Sequence, residues 1–266
     1  MAARAPTLQL GQLTGTWAAV YRRRDQLEAA AVEQVLAAWR AVVVGLDLAD
    51  IVAVLREQTG PAETADQDRR RHLRQVTAAA VLARLTALTR RPRWADLTAA
   101  ITGALRRARA TGRTAADAVL DDTGDADLPE DQDDEGDPDE DLAAAYTITA
   151  AALRGTAQTI ASNLLSAAEQ GDDEQAMQDQ ADADLNTGSA WSLAAVTASA
   201  AAFTAGLVGA YLGRGVQQLD YLTAGDGRVC VPCSTAEEHS PYPANSAPQP
   251  PLHPSCRCTL QPTRTT

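Results

Sequence analysis

A mainly α-helical protein, an elongated Ala-rich helical bundle ending in a small C-terminal β-hairpin with a zinc-knuckle-like cap, is predicted by three observations. Apolar residues recur at three- and four-residue steps over most of the chain, the period of an amphipathic helix. The apolar share is 45%, yet it includes one Phe and two Met. A core built mainly from Ala, Leu and Val calls for closely packed helices. All four cysteines lie beyond residue 229, beside two of the three histidines, His239 and His253.

Charge divides the chain before any element is drawn. Residues 1–118 carry 18 arginines against 11 acids, whereas residues 119–186 carry one arginine against 20 acids. Like charges in one block repel and stay solvated. Four regions are therefore expected: a helical N-terminal domain (1–118), an acidic linker (119–141), a helical region (142–216) and a Cys/His cap (217–266). Every basic residue is Arg, which reads as codon bias and not as a nucleic-acid footprint.

The first helix follows Leu13, Trp17, Val20, Leu27, Ala31 and Val35, with Arg22-Arg23-Arg24 and Glu28 between them. Asp47 is suited to cap a second helix that runs to Gln58 and stops at Gly60-Pro61. A third spans about Ala65 to Thr89, before Pro92. The fourth begins near Trp94 and is expected to end by Gly112. Arg69-Arg70-Arg71 with Arg74, Arg90-Arg91 with Arg93, and Arg106-Arg107 with Arg109 would attract phosphate without sequence preference. Pairing with nearby acids or with the acidic block is the favoured reading, because the domain is not basic enough for a nucleic-acid footprint.

From Asp121 to Asp141 the composition predicts a disordered linker, since highly charged sequence with little apolar content cannot offset the entropy of ordering. Asp131, Asp133, Glu135 and Gly136 match the opening of an EF-hand loop, but position twelve is Leu142, where a bidentate carboxylate is required. A helix then starts with Asp141 as N-cap, runs through Tyr146, Ile148, Leu153, Ile160 and Leu164, and closes at Gly171. After the acidic patch Asp172–Asp184, the uncharged run Leu185–Gly213 has the length of a membrane span, with Trp191 and Tyr211 as interface residues. Its Ser, Thr and Ala content favours a buried helix against the preceding one, and no membrane is expected. A strand, Gln217 to Thr223, and a turn at Ala224 to Gly227 lead into the cysteines.

Cys230-Val-Pro-Cys233 is a C-x2-C knuckle, and His253-Pro-Ser-Cys256-Arg-Cys258 supplies further donors. Two such groups close a tetrahedral zinc shell, and a region with little core of its own draws folding energy from the metal. Cys230 and Cys233 belong to every arrangement. The other two ligands come from His253, Cys256 and Cys258, with His239 a weaker substitute. Met1-Ala-Ala-Arg4-Ala-Pro lacks the apolar run of a secretory signal, so a reducing compartment, and metal in preference to disulfides, is expected. Asp226 reads as a turn residue between Gly225 and Gly227 in preference to a general base. A shell filled by protein ligands leaves no position for water, so the expected zinc is structural, one per chain, and the protein is not an enzyme.

Thr223-Ala-Gly-Asp226-Gly-Arg228-Val-Cys230-Val-Pro-Cys233, followed by a Pro-rich loop and Pro250-Pro251-Leu-His253-Pro254-Ser-Cys256-Arg257-Cys258-Thr-Leu260, resembles the C-terminal signature of phage Mu F-like head morphogenesis proteins. These are minor head proteins of tailed phages and prophages. The resemblance covers about the last 80 residues, its tight motif about the last 45. Tyr221 stands where the family often shows Trp, and Asn186-Thr187-Gly188 where it shows an Arg-Thr-Glu run. The resemblance implies a capsid component acting in procapsid assembly, associated with the portal and major capsid proteins, made in the host cytoplasm and located inside the virion head. The alternative is a zinc knuckle that contacts packaged phage DNA. It asks for basic and aromatic residues at the knuckle, for which Arg228, Arg257 and Tyr242 are available.

Overall fold

The structure, a computed structural model, describes residues 15–59, 67–121, 138–223 and 229–263. The acidic linker from 122 to 137, with the candidate calcium loop inside it, and the turn carrying Asp226 and Arg228 lie outside the described residues. The chain is mainly helical: α1 Gly15–Val43, α2 Ala49–Thr59, α3 Gln67–Ala87, α4 Trp94–Leu120, α5 Pro138–Gln170, α6 Glu174–Thr187, α7 Ser189–Gly213 and α8 Val231–Glu238. The strands are β1 Gln218–Leu222, β2 Tyr242–Pro243 and β3 Thr259–Pro262. They form one antiparallel sheet in the order β2-β1-β3, with Tyr221 opposite Leu260 and Leu219 opposite Tyr242.

Two compact units are present. One collects residues from Met1–Ala31, Thr102–Asp141 and Ala195–Thr266, the other from Val32–Ile101 and Leu142–Ala194. Each draws on segments before and after the acidic stretch.

In the second unit the indoles of Trp39 and Trp191 stack with centroids 4.5 Å apart, and Trp39 Nε1 donates to the Leu185 carbonyl at 2.8 Å. The buried aliphatic side chains of the same unit include Leu55, Leu85, Leu97, Ile160 and Leu164. Arginines close helix ends here. Arg91 donates to the carbonyls of Val42 and Val44 and Arg93 to that of Ala41, which satisfies terminal carbonyls of α1. Arg69 does the same for Gln58 in α2, while Arg70 pairs with Glu169 and Arg84 with Asp50. Asp47 stands at the start of α2 as expected, one residue before the N-cap position of Leu48, its Oδ1 accepting from the first helical amide, Ala49 N, at 2.8 Å.

Three boundaries differ from expectation. Helix α4 continues through Gly112 to Leu120, because Gly112 is a packing position: a Cβ there would overlap the Phe203 carbonyl of α7. Asp141 is not the cap of α5, which begins at Pro138. It lies in the first turn, fully buried, with its carboxylate held by Arg106 Nε at 3.0 Å and Arg109 Nη1 at 2.8 Å. The acidic patch 172–184 is largely helical. Asp173 caps α6 by accepting from Ala176 N at 2.9 Å, and Met177, Ala181 and Leu185 are buried at four-residue steps. Gly188, at φ +60, separates α6 from α7 inside what reads as one apolar run.

Gly171 ends α5 as predicted. Its φ is +84, and Asp172 N bonds to Ala167 O while Gly171 N bonds to Ala168 O, a Schellman closure. Within Glu174–Gly213 lies a window apolar and long enough to cross a membrane by length and composition. Trp191 and Tyr211, the residues a membrane reading would place at the interfaces, are nevertheless both buried within the protein.

Candidate metal centre

In the first unit three of the four cysteines, Cys233, Cys256 and Cys258, are buried, and Cys230 is half-buried. Helix α8 opens directly on the knuckle: Cys230 is its N-cap, a proline follows within the first two positions, and Cys233, one turn in, is fully buried. Thr223, at the end of β1, donates from Oγ1 to Glu237 Oε2 at 3.1 Å, and Tyr242 OH donates to the Ala236 carbonyl at 2.9 Å. These bonds fix α8 against the sheet. The second donor group arrives on a tight turn. Cys256 N bonds to the His253 carbonyl at 3.2 Å, Pro254 occupies the first corner, and Ser255 takes φ +61 at the second. That is the pattern of a type II turn, whose second corner usually demands Gly or Asn.

Two overlapping groups of donors result, Cys230 with Cys233 and His253, and Cys233 with Cys256 and Cys258, the atoms of each group lying within 4.8 Å of one another. Cys233 is common to both. The Sγ atoms of Cys233 and Cys256 are 3.7 Å apart. A disulfide would bring them to about 2.0 Å, whereas a tetrahedron with Zn–S of about 2.3 Å has an edge of roughly 3.8 Å. The five donors together could hold a metal ion. His253 Nδ1 lies 2.8 Å from the Pro254 carbonyl. When that nitrogen carries the proton, Nε2 is left as the ligand atom, the usual arrangement for a metal-bound imidazole. His239 is elsewhere, at the C-cap of α8, with its ring against the Thr235 carbonyl.

The thiols are electrostatically unequal. Cys258 donates to Cys256, which lowers the Cys256 pKa to about 4 and raises that of Cys258. Burial pushes Cys233 up to about 11. Tyr221, from the central strand, donates to Cys233 Sγ at 3.5 Å, and burial together with that bond raises its own pKa.

A cavity of about 430 Å³ adjoins the donors and is lined also by Glu28 and Val196. Glu28 belongs to a face of α1 that meets the cysteine segment. Arg24 donates from Nη2 to Cys256 O at 2.8 Å, from Nη1 to Cys258 O at 3.2 Å and from Nε to Glu28 at 2.8 Å. Tyr21 OH reaches Arg257 O at 3.3 Å, and Arg257 pairs with Asp25 at 3.0 Å. The sequence reading placed Arg24 and Glu28 only among the polar residues between the apolar positions of the first helix, and it did not name Tyr21. A signal existed: position 24 lies seven after Trp17, four after Val20 and three before Leu27, so it falls on the apolar stripe and not on the solvated face assigned to the arginine triplet. A charged residue on a buried stripe requires a partner.

No protein-family model matches this chain, and no curated protein or solved structure matches it.

Proposed function

We propose that this chain is a minor head protein of a tailed phage or prophage, similar to the Mu F-like proteins, whose Cys/His centre holds one structural zinc ion. The observation that carries the reading is the convergence of Cys230, Cys233, His253, Cys256 and Cys258, the donors of the ordered motif, around the buried Cys233. Five donors for four places leave no position for a water nucleophile, so the centre acts by holding structure, not by catalysis. Of the side chains a DNA-reading knuckle would use, Arg257 is paired with Asp25 and Tyr242 bonds to Ala236. Both are committed within the protein, which favours a protein partner. The zinc would clamp α8, the 253–258 turn and the sheet into a rigid cap offered to portal or major capsid subunits inside the head. Assembly would take place in the host cytoplasm.

The test has two stages. Elemental analysis of protein purified under reducing conditions should give one zinc per chain, with thiols protected from alkylation until chelator is added. In cells making portal and major capsid protein, a Cys230→Ser, Cys233→Ser double variant should be lost from procapsids. Incorporation at normal copy number would refute the assembly role, and freely reactive thiols without metal would refute the zinc.

A further inference from the structure

Among the described residues, Arg24 and Asp141 are the only charged side chains in the buried class. Asp141 has two arginines to balance it. Arg24 has Glu28, and it directs its remaining donors at the backbone of Cys256 and Cys258, residues more than 230 positions away in sequence. This contact goes beyond what docking one helix requires. The two carbonyls belong to alternate residues of the segment that leads into β3, and the thiols of the same two residues lie within 4.8 Å of each other. A planar guanidinium that donates to both carbonyls therefore fixes the peptide planes beside both thiols.

Arg24 reaches this position as half of an ion pair with Glu28, 2.8 Å away, so what it brings to the ligands is its fork of donors more than a net charge. Tyr21 OH donates to the carbonyl of the intervening Arg257, so α1 holds three successive carbonyls of the Cys256-Arg257-Cys258 segment.

We propose that Arg24 is a positioning residue of the metal centre, aiming the thiols of Cys256 and Cys258 by holding the two carbonyls behind them. The inference rests on the zinc reading above. Groups that orient ligands without touching the metal commonly contribute about 10- to 100-fold to its affinity.

The experiment is chelator competition with zinc(II) on the full chain, run beside urea unfolding of the same proteins stripped of metal. Arg24→Gln should bind zinc at least tenfold more weakly than the unaltered chain. Arg24→Lys keeps the charge and most of the packing but cannot span two carbonyls, and should bind at least threefold more weakly. For both, the metal-loaded protein should lose more stability than the stripped one, which a purely structural role would not produce. Asp25→Asn, which opens only the exposed pair with Arg257, should leave affinity within twofold. If the unaltered chain binds one zinc and Arg24→Lys binds it within twofold of that value, the positioning role is refuted and the zinc reading stands. If the unaltered chain binds no zinc, both fall together.

Discussion

Cysteine 256 and its neighbour Cys258 show how one hydrogen bond sets the acid–base behaviour of a site. The bond favours thiolate at Cys256 and thiol at Cys258. Without metal, Cys256 titrates in the folded protein at about 4, against about 8.5 in an unfolded chain. Between those values the unfolded state binds the extra proton, so stability rises with pH across the window, is complete above about 8.5 and is lost as pH falls through about 4. Cys233 and Cys258 shift the other way, and above about 8.5 they favour the unfolded chain, whose thiols ionise more readily. Urea midpoints of metal-stripped protein should therefore climb from pH 5 to 8 and turn down above pH 9. Cys256→Ser should remove most of the climb, and an unchanged slope would contradict the assignment. Residue-level chemistry of this kind was only partly legible. The spacing of Cys230, Cys233, His253, Cys256 and Cys258 is visible in one dimension. The approach of Arg24, Tyr21 and Tyr221 is not, because nothing local says which helix face a distant loop will meet.

Helices were legible where a cap or a breaker coincided with the end of a periodic run. Asp47, Gly171 and Gly213 mark true ends. Gly112 does not, and the reason is physical. Within a helix, glycine also permits another backbone to come close, and local sequence cannot separate that use from a stop. Gly206 of α7 is the counterpart: a Cβ there would overlap the Arg109 carbonyl just as one on Gly112 would overlap that of Phe203. Helices α4 and α7 thus cross backbone against backbone. Gly112→Ala and Gly206→Ala should each destabilise by about 3 kcal/mol, at the upper end of the cost of overpacking, because the obstructing atoms are main chain and cannot swing aside. Thermal unfolding would show it, whereas Gly209→Ala, with open space at its Cβ, should be neutral or slightly stabilising. Helix α6 was hidden for the opposite reason. Its acids dominate the composition, and only Met177, Ala181 and Leu185, three residues of small collective signal, mark its inner face.

The whole molecule follows topology more than composition. Charge blocks suggested segments in chain order, yet each compact unit gathers pieces from both sides of the acidic stretch. Composition reports what a segment prefers to be surrounded by, and says little about which other segment will provide the surroundings. The mainly helical class was legible because it depends on period alone. The sheet was legible only as far as β1, since β2 and β3 are short and gain their order from pairing with it. Metal should act at this scale. Zinc bound to the folded protein alone raises its stability by mass action, about 2.7 kcal/mol when free zinc exceeds the dissociation constant a hundredfold. Titrating zinc at constant urea should therefore shift the unfolding midpoint continuously, and a midpoint independent of zinc would mean that the centre adds nothing to the fold.

The indole stack of Trp39 on Trp191 has an optical consequence. Those two tryptophans and Trp94 all belong to the second unit, and Trp17 is the only indole in the unit that carries the cysteines. Intrinsic emission is thus a lopsided reporter, weighted three to one toward the half without the thiols. A melting curve read from it describes chiefly the environment of the stacked pair. If the donor cluster takes cobalt in place of zinc, the thiolate absorption of that ion would follow the thiol-bearing half alone.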